Sequence, residues 1–97
     1  MLYHVTFTID RQAAGFAETE AELTSAQAKR VAEVQKEGRL LGVWRRADCG
    51  GSMGVIDSAS HDTLVADLKS LPLFPYFRSI EVVPVIPYGP LPETGKR

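Results

Sequence analysis

Cysteine is almost absent from this chain: Cys49 is the only one. An intrachain disulfide is therefore impossible, and a four-cysteine zinc site is excluded. Histidine is nearly as scarce, and His4 and His61 lack the i,i+4 spacing of a helical metal pair. There is no run of about 18 apolar residues of the kind a membrane-spanning helix needs. The opening "MLYHVTFTID" has neither a basic leader nor a long apolar segment, so the chain is expected to be cytoplasmic, neither secreted nor membrane-bound. Charge of one sign is missing too: 11 basic residues face 12 acidic ones, a net charge of -1. A broad nucleic-acid or anionic-membrane surface is not expected from that balance.

What is present is an ordinary globular composition, 44% hydrophobic and 24% charged over 97 residues. That length supports one modest core, which burial against a second copy would help.

Residues 1–9 alternate, with Tyr3, Val5, Phe7 and Ile9 on one face and Leu2, His4, Thr6 and Thr8 on the other, the period of a strand. Thr19 with Glu22 three residues on reads as a capping box that opens a helix running to about Glu37. Gly38 is placed to end that helix in the left-handed conformation. A second strand is expected over 39–47, a glycine-paired hairpin turn at "DCGGS", and a third strand over 53–57. Ser58 or Ser60 can cap a short second helix that stops near Pro72. A last strand over 79–86 carries Pro84, which suits an edge or a strand end. The order β-α-β-β-α-β predicts an α+β, ferredoxin-like domain over 1–86, with helices on one face of an antiparallel sheet. Residues 87–97, rich in proline and glycine, read as an extended arm. The other sheet face, assigned Leu2, His4, Thr6, Trp44 and Ser52 or Gly54, needs a cover, and a second copy of the chain is the natural one. Such pairing is the dimeric α+β barrel arrangement.

The stretch "SLPLFPYF" at 70–77 spends four large apolar side chains, Leu71, Leu73, Phe74 and Tyr76, on a connection. Loops run over surfaces, so this one must press on something apolar, either its own second helix or the wall of a ligand pocket or subunit contact. Pro72 and Pro75 fix its path.

The run "LPLFPY" followed by "IEV", the opening "MLYHV", "EGRLLGVWR" with Trp44 and Arg45, and Asp57 closing the third strand together resemble the muconolactone isomerase family, which includes chloromuconolactone dehalogenase. The likeness runs without gaps from Met1 to Tyr76, then loosens, with an extra residue before "IEV" and an unrelated tail. It implies a ferredoxin-like subunit in a ring-like decamer, with sites shared between neighbours and no metal or coenzyme. By the same resemblance, a carboxylate on the first helix takes a proton from a small unsaturated lactone acid and returns it elsewhere, or expels chloride. The pathway implied is catechol breakdown through 3-oxoadipate.

At the position matching the family's basic glutamate this chain has Gln27. Independently of the resemblance, Gln27 lies on the apolar stripe of the first helix, four residues after Leu23 and four before Val31. An amide there either satisfies its hydrogen bonds in the core or orients a ligand, and it lacks the basicity to accept a proton. The family's tyrosine and asparagine near the hairpin are replaced by Gly50 and Ser52, which implies a roomier pocket.

His4 is the alternative base, from the open sheet face. Glu20 and Glu22 suit the start of the helix rather than catalysis. Cys49 has no evident activating partner. Arg45 or Arg46 could grip a substrate carboxylate, and Trp44, Phe74 and Tyr76 could contact substrate or a neighbouring subunit. Three functions follow: an isomerase-like or eliminating enzyme, a diverged cyclase or coenzyme-free oxygenase of aromatic metabolism, and a non-catalytic binding or assembly subunit.

Overall fold

The computed structural model describes residues 1–88. Four strands, β1 (Leu2–Ile9), β2 (Leu40–Arg45), β3 (Gly51–Asp57) and β4 (Phe77–Val85), form one antiparallel sheet in the order β2-β3-β1-β4. Two helices, α1 (Phe16–Lys36) and α2 (His61–Lys69), complete the β-α-β-β-α-β order expected from the sequence. Pro84 lies on β4, an edge strand, where its missing N–H costs no central pairing. Of the arm expected from 87 onward, all but Pro87 and Tyr88 lies outside the described residues.

The core follows from the alternation of β1. Tyr3 and Val5 are buried with Ile56 of β3 and Leu64 and Leu68 of α2, and Leu40, Leu71 and Phe74 pack around them. The Tyr3 hydroxyl, at the edge of this cluster, meets Nδ1 of His61 at 2.5 Å, so the exposed His61 at the start of α2 is tied to the core by one edge of its ring.

The expected capping box does not form. Helix α1 starts one turn earlier, behind Gly15 at φ 82°, and Thr19 lies inside it, its hydroxyl donating to the Gly15 carbonyl at 2.9 Å. The reason is Phe16, only 2% exposed and packed against Tyr76 with ring centroids 5.2 Å apart. Burying such a ring is worth about 1.5–3 kcal/mol, more than the ~1 kcal/mol of a side-chain cap. The other end is as expected: Gly38 at φ 85° donates to the Gln35 carbonyl, and Arg39 N–H to that of Val34, a Schellman pair. For α2 it is Ser60 that caps, accepting from the Thr63 N–H, while Ser58 is buried.

In the hairpin, the left-handed residue is Cys49 at φ 61° rather than a glycine. Asp48 explains how: its carboxylate accepts from the Gly50 N–H at 2.9 Å and from Arg46 at 2.6 Å. Those two bonds, the Gly50 N–H first, hold the Asp48 carboxyl below its ordinary range. Gly51 serves closeness instead of a turn, since a Cβ there would stand 1.9 Å from the Phe7 carbonyl oxygen.

The register also corrects two face assignments. Ser52 pairs with Phe7 and Gly54 with Val5, so both lie on the helix-covered side and not with His4 and Trp44. Sequence alternation within β3 was right, but its phase relative to β1 is set by the pairing.

Gly51→Ala is expected to lower unfolding free energy by about 1–3 kcal/mol or more, because the clash falls on backbone that cannot rotate away. Chemical denaturation checks it.

Candidate active-site cavity

Leu64 and Leu68 of α2 are buried on the sheet, and between α1 and the sheet lies a cavity of about 600 Å³. That is within the usual range for small-molecule sites. Its floor is the inward face of β1, Val5, Phe7 and Ile9, and its roof is one stripe of α1: Glu20, Thr24, Gln27, Ala28 and Val31. Those positions recur at three- and four-residue intervals, which is one helix face. Exposed Thr24, Ala28, Val43 and Arg45 mark the open side, between α1 and the β2 edge.

Gln27 is in the cavity wall, as its place on the apolar stripe suggested. Its Oε1 accepts a hydrogen bond from the Leu73 backbone N–H at 3.2 Å. The loop that supplies this donor is "LPLFPY": Pro75 sits in a single 3-10 turn, Phe74–Tyr76, whose backbone folds onto Leu71 and Leu73. Leu71 and Leu73 line the cavity. Phe74 and Tyr76 do not; Phe74 packs on the core and edge-on to Phe77, and Tyr76 against Phe16. Both expectations for the loop therefore hold in part, with its leucines in the wall and its aromatics in the packing.

Ser52 and Arg45 pair across β2 and β3 on the inward face and both line the cavity. Arg45 has no ion-pair or hydrogen-bond partner among the described residues, whereas Arg46 is held by Asp48. Asp67 also reaches the cavity, but it is clamped: Arg39 grips it with two bonds of 2.7 and 3.0 Å, and Arg30 approaches to 3.7 Å. The bond to Asp67, and a weaker one to Glu37, raise the Arg39 guanidinium above its ordinary range.

His4 is not brought to this site. It is on the outward face of β1, beside Val55 and Val83, and does not line the cavity that Gln27 faces. Trp44 is half exposed on that outward face, its indole lying over Gly42, although the residue also forms part of the cavity rim. Two residues at the mouth carried little signal in the sequence. Arg11, in an unpatterned connection, bonds Glu20 at 2.8 Å and the Cys49 carbonyl at 2.9 Å. Glu20 reads as a helix-start residue until the helix is seen to begin at Phe16, which puts it in the second turn, on the cavity stripe.

The model of the family described as muconolactone delta-isomerase matches residues 1–89. The chain belongs to that family. It is 36% identical over 76 residues, 78% of this chain and 79% of the relative, to muconolactone delta-isomerase 2 of Acinetobacter lwoffii. Its fold matches the crystal structure of a muconolactone isomerase with a TM-score of 0.80 and 29% identity, covering 92% of each chain. It also matches a 5-chloro-2-hydroxyhydroquinone dehydrochlorinase from Burkholderia phenoliruptrix, TM-score 0.70, over 89% of this chain and 94% of that one. At 12% identity that likeness concerns the fold alone. Within the muconolactone isomerase family, then, this member presents an amide at residue 27 of its cavity wall.

Gln27→Leu is expected to cost about 1–2 kcal/mol, since it strands the Leu73 N–H, while Gln27→Glu, which keeps an acceptor there, costs less. Denaturant melts of the two variants side by side check this.

Proposed function

We propose that this chain is an isomerase-like enzyme that moves a proton on a small unsaturated lactone or aromatic-derived acid without a cofactor, and that residue 27 is not the proton acceptor. The observation that carries the reading is Gln27 itself: it stands in the wall of the cavity, and its oxygen is engaged by the Leu73 N–H. An amide can orient a substrate but takes no proton near neutral pH.

Apolar walls from Phe7, Val31 and Leu71 suit a flat unsaturated ring. Arg45, unpaired among the described residues, adds a positive charge that draws an acidic substrate to the rim, and Ser52 offers a hydroxyl beside it. The cavity's size and the short side chain of Ser52 favour a second reading, in which the same shell takes a larger ring compound and performs a cyclase- or oxygenase-type reaction.

The outward sheet face supports self-association. Leu2, His4, Thr6, Trp44 and Val83 share it, with Trp44 52% and Val83 43% exposed. A second copy covering this face is the assembly proposed, and His4 and Trp44 then serve the interface rather than the chemistry.

Native protein mixed with muconolactone is expected to show weak or no ultraviolet change from double-bond migration, and Gln27→Glu to raise the rate about 10²–10⁴-fold, the usual contribution of a positioned base. A silent Gln27→Glu variant would favour the second reading. Trp44→Glu is expected to shift the protein toward monomer in light scattering; an unchanged mass sinks the proposed interface.

A further inference from the structure

If residue 27 takes no proton, some other group facing the cavity must. The ionisable side chains that line it are Arg11, Glu20, Arg45, Cys49 and Asp67. Asp67 is clamped by Arg39 and Arg30 against α2, and the Cys49 thiol has no basic side chain bonded to it among the described residues. Glu20 differs from both. Its carboxylate lies at the mouth, 46% exposed, and its one partner among the described residues is Arg11, 50% exposed. Glu20 and Gln27 share one stripe of α1, seven residues apart, about 10 Å along the axis.

We infer that Glu20 is the proton-transferring carboxylate of this chain, placed two turns from residue 27 on the same stripe, and that Arg11 is its guard, exchanging Glu20 for the carboxylate of an incoming unsaturated acid. Arg11 spans the mouth, one guanidinium nitrogen on Glu20 and the other on the Cys49 carbonyl of the hairpin. A substrate carboxylate that takes the place of Glu20 on Arg11 conserves the ion pair and releases Glu20 beside the bound ring. Glu20 then removes the ring proton at the far end of the conjugated double bond, on the carbon that bears the ring oxygen. The C–H electron pair spreads through the double bond into the carbonyl as a dienolate, and the same carboxyl returns the proton mainly to the carbon it left, so that exchange outruns migration of the double bond. No proton or electron is gained or lost, and Glu20 ends as it began.

This rests on the cavity being the reaction site proposed above, and the test separates the two. Muconolactone in D₂O serves as the probe, with loss of its ring C–H signals followed by NMR and binding followed by calorimetry, on native protein, Glu20→Gln and Arg11→Ala. Native protein is expected to exchange the ring proton at the far end of the conjugated double bond faster than buffer, even where the double bond stays in place. Glu20→Gln is expected to lose at least ~100-fold of that exchange yet bind the probe several-fold more tightly, because its neutral amide no longer competes for Arg11. Arg11→Ala is expected to weaken binding about tenfold or more. A merely structural strap between α1 and the hairpin would move binding in the same direction in both variants. Exchange at the native rate in Glu20→Gln overturns this inference alone. Native protein that neither binds nor exchanges the probe overturns the reading of the cavity, and this inference with it.

Discussion

The structure depends on how α1 is held over the sheet. A helix with an apolar stripe would ordinarily lie down on the strands and bury it. Here it is propped at intervals along its length. Phe16 is buried against Tyr76 at the start, Gln27 takes the Leu73 N–H in the middle, and Arg30 reaches Asp67 on α2 and Ser70 at its end. Val34, buried, and the Schellman pair around Gly38 fix the far end. Because these props fall at the ends and on the α2 side, the space over Val5, Phe7 and Ile9 stays open and becomes the cavity.

The loop after α2 is the common part of this scaffold. Its two prolines and its 3-10 turn present one backbone N–H to α1, two leucines to the cavity and two aromatics to the packing around Phe16 and Phe77. A loop with this many duties cannot vary freely, whatever chemistry the cavity hosts. In this member of the muconolactone isomerase family the loop meets an amide at residue 27. The amide at 27 fits the scaffold's need for an acceptor as well as a carboxylate does; only proton transfer tells the two apart.

Charge in the molecule is divided by depth. The deep carboxylate, Asp67, is neutralised by a two-bond arginine grip, as a buried charge must be. The pair at the mouth, Arg11 with Glu20, is half exposed, where ion pairs are weak and exchange partners readily. Stability resides with the first and adaptability with the second.

Much of the fold was fixed by periodicity. Alternation in β1, the glycine after α1, the serine before α2 and the proline in β4 are local signals, and each is local physics: pleat, left-handed cap, side-chain cap, missing donor. Gln27 on an apolar stripe was legible for the same reason, since helical spacing alone puts it there. What the sequence could not supply was phase between segments. Ser52 turned inward and His4 outward because of the β1–β3 register. Glu20 joined the cavity because burial of Phe16 moved the helix start, and Arg11 met Glu20 only because the connection before α1 folds back beside the hairpin. Those are long-range pairings, and they were decided by which surfaces could be buried together, a choice that only the whole chain makes.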